Sequence, residues 1–83
     1  MKLSKPVRER FTSSYTRTGR KRGYKVEIIF NSLYNHFYFM LHKGEYTFNS
    51  LWKNSCFETE EECVVGAEKY VEALAKMGGN QND

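Results

Sequence analysis

The chain has almost none of the residue groupings from which enzyme signatures are built. Its only aspartate is Asp83. No glycine-rich phosphate loop follows a strand pattern, and no serine or cysteine has an obvious base beside it. Neither an enzyme nor a cofactor is expected. Two cysteines, Cys56 and Cys63, are too few for a disulfide framework, so both are read as reduced, partly buried thiols. The two histidines, His36 and His42, fall six positions apart on one strand pattern, about 20 Å at 3.3 Å per residue. They cannot share one ion, and no metal site is expected. Long apolar runs are also missing: the longest, Phe37 to Leu41, has five residues where a spanning helix needs about twenty. Met1 to Pro6 carries charge without an apolar block, unlike a secretory signal. The expectation is an intracellular, cytoplasmic chain with no membrane partner, no repeat and no linker.

What is present is aromatic bulk. Thirteen aromatic residues, six Phe, six Tyr and Trp52, compensate for a length of 83 residues, which hides only about 60–65 per cent of the unfolded surface. A single small folded domain over 1–83 follows.

Charge is distributed unevenly. Residues 1–25 hold Lys2, Lys5, Arg8, Arg10, Arg17, Arg20, Lys21, Arg22 and Lys25 against Glu9 alone, a balance of +8; residues 26–83 hold four lysines against nine acids, −5. The overall +3 thus conceals a dipolar molecule.

The longest periodic segment runs from Cys56 to Met77. Thr59 and Glu62 have the spacing of a reciprocal N-terminal cap, and Glu60, Glu61 and Glu62 sit where a helix dipole favours negative charge. Cys63, Val64, Ala67, Tyr70, Val71, Leu74 and Met77 recur at steps of three and four, one stripe of a 3.6-residue repeat. Gly66 interrupts it at a cost of about 1 kcal/mol against alanine, which suggests close packing against a strand. Gly78-Gly79 reads as a stop, with 79–83 a frayed tail.

Before the helix come strands. Residues 1–18 read as a basic arm or an edge strand, with Val7, Phe11 and Tyr15 as its apolar positions. Thr18 to Gly23 reads as a turn or hairpin tip. Tyr24 to Asn31 alternates as a half-buried strand, with Tyr24, Val26, Ile28 and Phe30 on one side. His36 to His42 is the most apolar strand and should be central, with Phe37, Phe39 and Leu41 on one face and His36, Tyr38, Met40 and His42 on the other. After a turn at Lys43-Gly44-Glu45, Tyr46 to Lys53 returns as the last strand, with Tyr46, Phe48 and Trp52 as core candidates. The fold class is α+β: an antiparallel meander of three or four strands with one C-terminal helix packed on one face.

The junction Phe57-Glu58-Thr59-Glu60-Glu61-Glu62-Cys63, followed by Ala67, resembles the strand-to-helix junction of the three-strand-plus-helix DNA-binding domains of plant ethylene-response factors and tyrosine integrases. The basic Gly19 to Gly23 segment and the strands come in the same order, so the resemblance covers residues 20–75. It implies a sheet that lies in the major groove and reads bases through strand side chains. The strands here carry Glu27, Ile29, Tyr38 and Met40 where such a reader would have Arg and Trp, so no base-contacting residue is carried over.

Cations interleaved with Ser, Thr, Tyr and Phe suit phosphate contact. The expected function is that of a small non-enzymatic binding protein using Arg8, Arg10, Arg17, Arg20, Lys21, Arg22 and Lys25 to hold nucleic acid, with Tyr38 as a candidate for stacking or partner contact. The rival reading is a phage or mobile-element inhibitor or adaptor that binds an acidic protein surface of a host complex, such as a defence nuclease. An edge strand and an aromatic sheet face leave a dimer open.

Overall fold

The structure, a computed structural model, describes residues 1–82 and the side chains of 1–77. Asp83 and the side chains of 78–82 lie outside the described residues, as does that part of the expected tail. Five antiparallel strands follow one another across a single sheet: β1 (Val7–Arg8), β2 (Tyr15–Lys21), β3 (Tyr24–Asn31), β4 (His36–Lys43) and β5 (Tyr46–Asn49). A 3-10 turn (Ser50–Lys53) and the helix α1 (Glu60–Asn82) complete the chain. The α+β class holds, with five strands in place of three or four.

Turn chemistry places the strands. Arg22 and Gly23, both at positive φ (54° and 81°), make a two-residue turn between β2 and β3, a shape whose twist matches the flanking strands. The hairpin tip is therefore narrower than 18–23, and Thr18 to Lys21 belong to β2. Between β3 and β4, Asn31 Oδ1 accepts from the amides of Leu33 (2.9 Å) and Tyr34 (3.3 Å), and Asn35 turns through φ 54°. The register then sets Val26 opposite Gly19 and Leu41, and Ile28 opposite Arg17 and Phe39.

Period-two alternation sends one row of each strand toward α1. Val26, Ile28, Phe39, Leu41 and Phe48 meet Cys63, Ala67 and Val71 in one buried core, with Val64, Tyr70 and Leu74 packed against it. Each large aliphatic buried there contributes about 1.5–3 kcal/mol of transfer free energy. Burial also raises the Cys63 thiol to about 12, with Glu60 adding to the shift.

Thr59 caps α1 as its spacing foretold: the Glu62 amide donates to its Oγ1 at 3.1 Å. The return bond differs, because the Glu62 carboxylate accepts from the Thr59 hydroxyl rather than from its backbone amide. α1 runs on through Gly78-Gly79, since a glycine pair permits a left-handed exit without imposing one. Gly66 does mark a close approach, though its neighbour is the ring of Phe57, with Cζ 2.7 Å from where a Cβ would lie. Phe57 is held there by a bridge to Phe37, each amide donating to the other's carbonyl at 2.8 Å.

Three core expectations are corrected. Trp52 is 63 % exposed because the last strand ends at Asn49, whose side chain accepts from the Leu51 amide and opens the 3-10 turn. Ser50 takes the buried place instead, its hydroxyl accepting from the Phe39 amide (3.1 Å) and donating to the Ser55 carbonyl (2.8 Å). Tyr46 sits at an exposed hairpin end, and Met77 is exposed rather than packed in the core.

The N-terminal residues form an ordered edge rather than a free arm. The Ser4 amide donates to the Thr18 carbonyl at 2.7 Å, and Met1 and Leu3 pack against the core. The Met1 ammonium donates to Glu68 at 3.0 Å. Gly19 makes room for this edge, since a Cβ there would fall 2.8 Å from the Lys2 carbonyl oxygen.

Candidate functional site

The same alternation that builds the core divides the cations of β2 into two populations. Arg17 and Lys21 share the face of Val26 and Ile28 and turn toward α1. Arg17 Nη1 meets Glu60 Oε2 at 2.6 Å while its Nε donates to the Ser4 carbonyl at 2.9 Å. Lys21 Nζ lies 3.3 Å from Glu72. Arg22, at the tip, grips the same carboxylate with two bonds of 2.9 and 3.2 Å. The Arg22 and Lys21 bonds hold the Glu72 carboxyl below its ordinary value. Three of the seven expected site cations are thus neutralised by the protein's own helix.

The other four are not held this way. Among the described residues no carboxylate lies within 4 Å of the charged groups of Arg8, Arg10, Arg20 or Lys25. Arg8 stacks over the Tyr15 ring at 5.4 Å and Arg10 over Phe11 at 5.7 Å. Arg20 and Lys25 are direct cross-strand partners, both exposed, on the sheet face that α1 leaves open. Lys2 joins them from the N-terminal edge: a hollow of about 480 Å³ is lined by Lys2, Thr18, Gly19, Arg20 and Lys25, three cations and no acid. Lys2 belongs to the basic segment but not to the seven expected site cations. Its alternation with Met1 and Leu3, which pack inward, is the signal that would have found it.

From that basic corner the open face continues across Thr16, Thr18, Glu27, Ile29, Tyr38, Met40 and His42. The carboxylate of Glu27 is engaged with His42 Nε2 at 2.7 Å. At the far end an aromatic row rises from the β3–β4 turn, with Tyr34 to His36 centroids at 5.8 Å and His36 to Tyr38 at 6.1 Å. Beside it a second hollow, of about 260 Å³, is walled by Glu9, Thr12, Ser14, Ile29, Asn31, Leu33 and Tyr38. Burial, then Glu27 and Glu9, raise the Tyr38 phenol above its ordinary value, so its hydroxyl stays protonated at neutral pH. Glu9 and Thr12 of the N-terminal segment wall this hollow together with Tyr38, which is half-buried.

Among the described residues no group of three or more His, Cys, Asp and Glu is placed to hold a metal ion, and no helix is long and apolar enough to cross a membrane. Comparison of the chain with protein-family models, with curated proteins and with solved structures finds no match.

Proposed function

We propose that the protein is a small binding domain that holds nucleic acid through the open face of its sheet, with Lys2, Arg20 and Lys25 as the phosphate-contacting corner; Arg8, whose register partner Tyr15 faces α1, stands on the other side of the sheet. The observation that carries this reading is the convergence of three cations without a compensating carboxylate, at one corner of a face whose Glu27 is engaged with His42. An unpaired cation cluster is costly in self-repulsion and gains most from a polyanion. Hydroxyls of Thr16 and Thr18 on the same face add neutral donors for phosphate oxygens. Arg17, Lys21 and Arg22 serve the fold in this reading, since each would have to give up an internal glutamate before meeting a phosphate.

Titration with duplex and single-stranded probes at two salt concentrations tests it. Binding should weaken steeply with salt, by about 0.7–0.9 in log–log slope for each phosphate neutralised. Arg20→Ala with Lys25→Ala should flatten that slope, whereas Arg17→Met should leave it unchanged. Absence of salt-sensitive binding at low ionic strength refutes the reading and returns the acidic protein surface as the better partner.

A further inference from the structure

The open face has two ends of different chemistry, and their placement selects among nucleic acids. In the register, Arg20, Lys25 and His42 stand in one rank, and Thr16, Ile29 and Tyr38 in another four residues away. With about 3.3 Å per residue and about 4.8 Å between strands, Tyr38 lies diagonally some 16 Å from Arg20. The basic corner can take phosphates. The aromatic end, with Tyr34, His36 and Tyr38 in sequence and the hollow beside Ile29 and Asn31, offers ring faces and amide or hydroxyl groups. Its carboxylate, Glu9, would repel a phosphate but can accept from a base amino group.

Width is the second constraint. At the basic end the N-terminal edge, β2, β3, β4 and β5 lie side by side. At the aromatic end the row is β1, β2, β3, β4 and the Phe57 bridge. Five chains abreast span about 19 Å, while a B-form major groove is about 12 Å wide and admits a helix or a two-stranded ribbon. A duplex also keeps its base faces stacked inside, out of reach of an aromatic row.

Resting on the nucleic-acid reading above, we infer that the ligand is single-stranded: its backbone crosses the sheet diagonally from the Lys2–Arg20–Lys25 corner, and its unstacked bases lie on Tyr38 and Tyr34. The sugar is not selected by any feature of this face, so DNA and RNA strands share the chemistry and are separated by the probes.

The test is fluorescence anisotropy with labelled oligothymidine, oligouridine and duplex DNA, each about twelve units long, at low and moderate salt. Both single strands, or one of them, should bind at least about tenfold more tightly than the duplex. Tyr34→Ala, at a side chain already 69 % exposed and so without folding cost, should weaken single-strand binding about fivefold or more, the loss of one stacked base. Tyr38→Trp should retain affinity and show fluorescence quenching on binding, while Tyr38→Leu should lose affinity with its circular dichroism unchanged. Equal or tighter duplex binding overturns the inference, as does wild-type affinity in both Tyr34→Ala and Tyr38→Leu when Arg20→Ala still loses binding. That last pattern leaves charge-driven nucleic-acid binding standing. Failure of every probe to bind removes both.

Discussion

Replacing Gly66 by alanine sets helix propensity against packing, and the structure decides which wins. Alanine is favoured over glycine in a helix interior by about 1 kcal/mol, so on propensity alone the variant should gain stability. The new methyl, however, would stand 2.7 Å from Phe57 Cζ and 2.9 Å from Cε2, well inside contact distance. That ring cannot simply retreat. Its backbone is tied to Phe37 by two 2.8 Å hydrogen bonds, and its other side stacks on Phe39 with centroids 6.2 Å apart. Overpacking of this kind costs about 1–3 kcal/mol. The net expectation is a loss of about 1 kcal/mol, a fall in Tm of about 4–8 °C for a domain of this size. Thermal melts of four proteins measure it: wild type, Gly66→Ala, Phe57→Leu and the double variant. With the ring gone, the alanine should recover its helical advantage, giving a coupling of about 2 kcal/mol across the cycle. A rise in Tm for Gly66→Ala alone, or additive single changes, would refute the close approach.

Three further outcomes follow from side-chain placement. Arg17→Met should lower stability by about 1–2 kcal/mol, because it removes both the Glu60 ion pair and the bond to the Ser4 carbonyl; Arg20→Ala should leave the melt unchanged, and equal melts for the two would contradict the division of β2 into two faces. Thiol titration of the native protein should modify the exposed Cys56 and spare Cys63, whose thiol is buried and pushed up to about 12, with both reacting in denaturant. Since Arg22 and Lys21 depress the Glu72 carboxyl, the clasp they form is fully present above the ordinary value of 4.5 and is lost as pH falls through the lower folded value. Amide exchange across Lys21 to Tyr24 should therefore quicken on acidification relative to the sheet centre, and Glu72→Gln should show the faster exchange at every pH; an acid-insensitive hairpin would exclude the clasp.

Local signals in the sequence were readable and long-range ones were not. The bounds of β3, the Thr59 cap and the inward row Val26, Ile28, Phe39, Leu41 and Phe48 follow from alternation and capping within a few residues. Five strands exceed the expected three or four because residues 18–21 of β2 carry the glycine and cations of a turn, and because β1 is two residues long and exposed, so alternation has nothing to register there. The last strand was drawn too long because Ser50 is buried by bonds to Phe39, eleven positions back, which no local pattern announces. The site suffered from the same blindness at greater range. Arg17 and Arg22 look like any other cations of the basic segment until Glu60 and Glu72 arrive from 43 and 50 positions away. What period-two reading of 15–21 does supply is the split between Thr16, Thr18 and Arg20 on one side and Arg17 and Lys21 on the other.

Because every strand pairs only with its neighbour in sequence, the sheet can assemble progressively as the polypeptide leaves the ribosome. Its greasy side nevertheless stays bare until the final quarter of the chain has emerged to roof it over. A nascent product cut after Phe57 would carry Val26, Ile28, Phe39, Leu41 and Phe48 uncovered, a template for clumping that a chaperone would need to shield during translation.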